Sequence, residues 1–164
     1  MNTWEITNEI RRRIAAESGT LHKQAPLCVA LCYPSPYAVA MSSLGFQAIY
    51  REIHAHPGAS AERVFLPDRV AEQRAARVPL ISYEGEKPLA QFSAVAFSIS
   101  YELELPGILD MLDLAGIPLL REDRDSRHPT VIVGGPLTYG LSHLVFLLGM
   151  YLCGAVYSLI FLRS

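Results

Sequence analysis

Two hydrophobic periods alternate along the chain. Over residues 4–16, Ile6, Ile10 and Ile14 recur at spacing four among Glu5, Glu9 and three arginines, which predicts a short amphipathic helix with one apolar stripe. Ser18-Gly19-Thr20 ends that helix, and a polar linker runs to Pro26. Leu27-Cys28-Val29-Ala30-Leu31-Cys32-Tyr33 is then an uninterrupted apolar run that stops at Pro34-Ser35-Pro36. A short apolar run bounded by turn residues reads as a strand buried on both faces, as in a parallel sheet. A helical pattern opens at Met41-Ser42-Ser43-Leu44-Gly45, where Phe46, Ile49, Tyr50 and Ile53 fall at i, i+3, i+4 and i+7. Pro57 and Gly58 cannot continue it.

The alternation repeats downstream. Glu62-Arg63-Val64-Phe65-Leu66 reads as a second strand, and Asp68 as the N-cap of a polar helix reaching about Arg77. Pro79 to Gln91 is a loop with one short extended piece, Leu80-Ile81-Ser82-Tyr83. Ser93 to Ser100 is the third strand. The following helix has Pro106 near its start, Ile108, Met111, Leu112 and Ala115 as its stripe, and Gly116 past its end. Ile117 to Leu120 is a short fourth strand or an extended link, and the charged residues 121–128 belong in solvent. Thr130-Val131-Ile132-Val133 is another buried strand, ending at Gly134-Gly135-Pro136. This order implies right-handed βαβ units: an α/β, flavodoxin-like (Rossmann-type) parallel sheet with helices on both faces, plus an N-terminal helix and an apolar C-terminal helix. The Pro-Ser-Pro loop then lies beside the switch point of the sheet, where such folds place ligands. The organisation is residues 1–25 as helix and linker, 26–140 as the α/β domain, and 141–164 as an apolar tail.

The tail departs from the pattern. Leu141 to Leu162 contains no charged residue, whereas a covering helix needs a polar face. It has the length of a membrane span, about 20 residues. Three readings fit it: a membrane anchor through 141–162, a helix buried against a partner, or a truncated or frame-shifted end. Over the whole chain 51% hydrophobic and 18% charged residues argue against disorder for most of it, and 164 residues suffice for one core. Arg11-Arg12-Arg13 reads as a solvated helix face, and a net charge of −2 gives no nucleic-acid partner. Three cysteines make no disulfide framework and the N-terminus has no signal-peptide core, so a reducing cytoplasm is expected, with membrane anchoring through the tail as the alternative.

Candidate chemistry lies in the three turns leaving the carboxyl ends of the strands. They offer small or hydroxyl-bearing residues and backbone N–H groups near helix starts: Ser35, Tyr37, Ser42 and Gly45 after the first strand, Ser98 and Ser100 after the third, and Gly134 and Gly135 after the last. Such turns suit a large neutral or phosphate-bearing ligand, although ordinary βα connections look the same. Cys28 and Cys32 fall on one face of a strand, but Ser35 stands where a Cys-x3-Cys-x2-Cys motif needs its third thiol, so they read as packing. His54 and His56 read as surface residues, and Asp110 and Asp113 as solvent-facing. No catalytic residue and no metal ligand is assigned.

The run Cys32-Tyr33-Pro34-Ser35-Pro36-Tyr37-Ala38-Val39-Ala40-Met41-Ser42-Ser43-Leu44-Gly45-Phe46-Gln47-Ala48-Ile49-Tyr50 resembles the start of B12-binding-domain radical SAM proteins. Ala61 to Asp68, Pro88 to Phe92, Phe97 to Leu103, Asp110 to Leu119 and Val131 to Pro136 follow in the family's order, so the resemblance covers about residues 26–137. It implies a cobalamin-binding-like N-terminal module, non-catalytic on its own. A radical SAM barrel would normally follow in the same chain, carrying the [4Fe–4S] cluster and S-adenosylmethionine. It also implies that Gly134-Gly135 lies near the nucleotide tail of cobalamin and that Ser98 and Ser100 match a Ser-x-Leu loop in part. The family's Asp-x-His-x-x-Gly motif is missing, and no histidine lies between residues 23 and 53, so cobalt would have no ligand from that loop. The competing reading is a degenerate B12-like fold that binds the barrel or another protein. A membrane-tethered α/β module is a third.

Overall fold

In the computed structural model the apolar run after the linker is a strand, β1 (Leu27–Tyr33), flanked on both sides by other strands. The structure describes residues 2–136 and 151–152. Among these, β2 (Ala59–Phe65), β3 (Ala94–Ser98), β4 (Thr130–Gly134) and a short β5 (Tyr151–Leu152) complete one sheet in the order β2-β1-β3-β4-β5. Every pairing is parallel. The connections run outward in opposite directions from β1 and β3, so the switch point lies between these two strands, as the alternation predicts.

Helices cover both faces. α1 (Thr3–Ala16) and α3 (Leu44–Ala55) pack on Leu31, Tyr33, Ala61 and Phe65 through Ile6, Ile10, Ile14, Phe46 and Tyr50. α5 (Leu105–Leu114) packs on Ala30, Cys32, Val95, Phe97, Val131 and Val133 through Ile108, Met111 and Leu112. Alternate residues of β1 thus serve opposite cores, and each large apolar side chain so buried contributes about 1.5–3 kcal/mol. α4 (Val70–Ala75) is tied to α5 by Arg74, whose guanidinium donates to Asp113 (2.7 Å) and Asp110 (2.6 Å). Those two carboxylates therefore form a surface ion pair set, as their solvent-facing reading requires.

Several boundaries differ from the sequence pattern for local reasons. A one-turn helix, α2 (Tyr37–Ala40), follows Pro36, and α3 starts only at Leu44 because the Ser43 hydroxyl accepts from the Phe46 N–H (3.3 Å). β2 begins three residues before Glu62, since pairing with β1 recruits the small residues 59–61. Asp68 is not the cap of α4; Arg69 holds the cap position and its side chain makes no capping bond, while Asp68 accepts from Arg13 of α1 at 2.8 Å. Residues 117–120 form a link, with Ile117 buried and its N–H on the Leu112 carbonyl (2.9 Å). The piece Leu80–Tyr83 is wholly buried, and Ile81 bridges Pro88. Arg11 is exposed as expected, but Arg13 is half-buried over the Tyr37 ring, 4.8 Å from its centroid.

The cysteines of β1 pack as the sequence suggests. Cys32 is fully buried and Cys28 half-buried, and burial pushes both thiols up. The apolar tail and Cys153 lie outside the described residues, apart from Tyr151–Leu152, which is extended and paired with β4 rather than helical. Among the described residues no helix is long and apolar enough to cross a membrane.

One charged group lies where the pattern calls for an apolar one. Arg63, between Ala61 and Phe65 on the α1/α3 face of β2, is buried. Its guanidinium donates to Glu84 (2.6 Å) and Glu17 (2.8 Å) and sits 5.0 Å from the Tyr50 ring centroid. Burial alone would lower its affinity for a proton, but the two carboxylates outweigh that and raise it. Through this network the linker at Glu17 and the loop at Glu84 are fixed to the sheet.

Candidate functional site

The carboxyl ends of β1, β3 and β4 meet at one edge of the sheet, where three backbone contacts close the turns on one another. Gly107, in the first turn of α5, lies directly on the Pro34 carbonyl; a Cβ there would sit 2.3 Å from the oxygen. Gly135, at φ +125°, lies on Ile99, and a Cβ would sit 2.0 Å from the Ile99 oxygen. Both positions therefore admit only glycine. The Ile99 N–H donates to the Gly134 carbonyl at 2.8 Å, extending the β3–β4 pairing by one residue.

A buried carboxylate organises the centre of this edge. Glu104, 4% exposed, accepts from the backbone N–H of Ser100 (2.6 Å) and Tyr101 (3.1 Å). It thereby satisfies donors that the turn leaves orphaned ahead of α5. The Tyr33 hydroxyl, at the end of β1, faces Glu104 together with the Ser43 and Ser100 hydroxyls. Burial raises the Tyr33 phenol, and the neighbouring Glu104 carboxylate raises it further. One tyrosine thus joins the turn after β1 to the turn after β3.

Of the eight residues singled out from sequence, four come together here. Ser98 pairs with Gly134 at the ends of their strands, Gly135 packs on Ile99, and Ser100 is held by Glu104. Ser42 and Gly45 are exposed at the entry to α3, and the Ser42 hydroxyl donates to the Val39 carbonyl (2.6 Å). The Ser35 carbonyl accepts from the Leu66 N–H (3.3 Å), towards β2. Tyr37 turns to the α1 face: its hydroxyl donates to Glu17 (2.9 Å) and its ring stacks on Tyr83 with centroids 5.5 Å apart. Burial, then Glu17, pushes the Tyr37 phenol up to about 12.

These residues do not fit a histidine-ligated corrinoid. The turn after β1 carries no histidine, and His54, the nearest in sequence after it, is bonded through Nε2 to the Ala61 carbonyl at 3.0 Å. The double glycine already has a use within the chain, because Gly135 is needed for the close approach to Ile99. Clefts bounded by described residues open elsewhere; one of about 60 Å³ lies between α1 and the end of β2, lined by Ile6, Arg13, Phe65, Asp68, Gln73 and Tyr83. Among the described residues no group of His, Cys, Asp and Glu could hold a metal ion.

What the edge does offer is exposed apolar surface. Leu103 is 91% exposed, Leu44 81%, Tyr101 65% and Val39 52%. All four lie in the segments that follow β1 and β3: Val39 in α2, Leu44 at the start of α3, and Tyr101 and Leu103 ahead of α5. Sequence reasoning missed them, along with Glu104. The signal was present in the phase of α5: Glu104 stands four residues before Ile108, on the apolar stripe, and Leu103 stands off it.

No curated protein and no solved structure matches the chain. The sequence model of the family described as "Radical SAM proteins, N-terminal" matches residues 45–158, from the first turn of α3 past β4. That span covers more than half of the sequence and includes the turn of Glu104 and the double glycine, so the chain belongs to the family of N-terminal regions of radical SAM proteins.

Proposed function

We propose that the chain is the non-catalytic N-terminal module of a radical SAM protein and works by association with the cluster-bearing part. The observation that carries this reading is the family match over a fold whose described residues offer no cluster ligands: Cys28 and Cys32 are committed to a strand, and Ser35 stands where a third thiol would be needed. A thiol buried as Cys32 is cannot readily become the thiolate that an iron–sulfur cluster requires.

A corrinoid has less support than association. The turns that would receive it are in backbone contact, and the loop after β1 supplies no axial ligand.

Two measurements test the reading. Anaerobic reconstitution of the chain with iron and sulfide is expected to give no cluster absorption and no cleavage of S-adenosylmethionine. Mixing the chain with the cluster-bearing portion of a family member that holds both parts is expected to give a complex on gel filtration. A cluster built on the chain alone, or no complex, overturns it. Hydroxocobalamin is expected to wash off the chain on gel filtration; retention with a changed visible spectrum would restore the cobalamin reading.

A further inference from the structure

Resting on that reading, we infer that the docking face is the rim formed by Val39, Leu44, Tyr101 and Leu103, and that its occupant is an apolar, cation-bearing surface on the cluster-bearing part.

Among the described residues, five large apolar side chains are more than half exposed: Trp4 stands alone on α1, and the other four are the rim. Four large side chains more than half exposed in two adjoining turns exceed the scattering expected of an ordinary surface. Aromatic and leucine side chains set on a rigid base make effective contact residues, because little freedom is lost on docking. The base here is rigid: Glu104 fixes the backbone of Ser100 and Tyr101, Gly107 rests on Pro34, and Ser43 caps α3 beside Leu44.

Charge selects among occupants. From Pro34 to Tyr50 and from Ser98 to Leu109 the only charged residues are Glu102 and Glu104, and Glu104 is buried. A second copy docked rim to rim would bring two Glu102 carboxylates into an interface whose segments hold no cation, and pair neither. An anionic membrane surface would be repelled for the same reason. A partner surface that is apolar with a cation opposite Glu102 satisfies both features of the rim.

The test compares substitutions at the two ends of the sheet, using the full chain and the cluster-bearing portion of a family member. Leu44→Asp and Leu103→Asp place acids near helix N-termini, where the fold tolerates them, so the thermal midpoint should hold. Each is expected to weaken association by at least about tenfold, and Glu102→Lys to weaken it less. Leu119→Asp and Leu120→Asp, at the opposite end, are expected to leave it unchanged. If the unsubstituted chain binds and the rim variants bind equally well, the rim assignment falls while the association reading stands. If the unsubstituted chain does not bind, both fall. Self-association that the rim variants abolish would make the occupant a second copy and overturn the choice of partner.

Discussion

The two ends of the sheet are built from opposite materials. The carboxyl end, at the turns after β1, β3 and β4, is nearly free of charge, closed by glycine contacts and edged with exposed leucine and tyrosine. The amino end is charged and open. There residues 121–127 mix three arginines with three acids, Asp125 accepts from Arg127 at 2.6 Å, and Arg124 donates to the Pro118 and Leu119 carbonyls. Arg127 holds the Asp125 carboxyl well below the usual range. The difference teaches where the chain has been constrained. At the amino end the loops need only be solvated and paired; at the carboxyl end backbone, carboxylate and rings fix a surface that water alone would not favour.

The glycines give the sharpest way to break that contrast. Gly135→Ala meets the Ile99 oxygen and a φ of +125°, so it should cost about 3 kcal/mol or more in chemical denaturation. Gly107→Ala, pressed on the Pro34 carbonyl, should cost nearly as much. Gly116→Ala, at φ +67° with no atom within 4 Å, should cost about 1 kcal/mol. Equal effects at both ends would remove the claim that the carboxyl end is closed by backbone contact. Glu104→Ala should follow at about 2 kcal/mol, the scale for stranding buried donors, and should speed hydrogen exchange at Ser100 and Tyr101 selectively. Uniformly faster exchange would mean that Glu104 supports the whole fold rather than this turn.

Alkaline pH sharpens the account of the α1 face. The Tyr37 and Tyr83 phenols both rise to about 12, chiefly through burial. A group whose folded value lies above its unfolded value favours the fold fully below the unfolded value, about 10 for tyrosine. That contribution is lost as pH rises through about 12. The thermal midpoint should therefore fall over this alkaline range, and less steeply in Tyr37→Phe; an unchanged slope would remove Tyr37 from the explanation. The smallest effect is expected at the amino end, where Asp125→Asn should leave the midpoint where it was, because the Asp125–Arg127 pair is solvated.

The contrast also explains what was legible in the sequence. An uninterrupted apolar run placed β1, and period-3.6 stripes placed α1, α3 and α5, because one apolar stripe dominates each helix. The residues that escaped are those whose chemistry opposes their position. Arg63 holds an apolar phase of β2 because Glu17 and Glu84, far away in sequence, neutralise it. Glu104 holds an apolar phase of α5 because the turn before the helix needs an acceptor. Asp68 looked like a cap and instead pairs with Arg13, a choice that depends on where α1 lands. Ser98, Ser100, Gly134 and Gly135 were placed together correctly by strand order, whereas Tyr37 left that group because stacking on Tyr83 and bonding to Glu17 draw it to the other face.

Hydrogen exchange of the chain, alone and with the cluster-bearing portion of a family member, addresses the central claim most directly. Slowed exchange on mixing, confined to residues 39–46 and 99–105, is the predicted result. Slowing at residues 119–128 instead, with the carboxyl-end turns unchanged, would contradict the account.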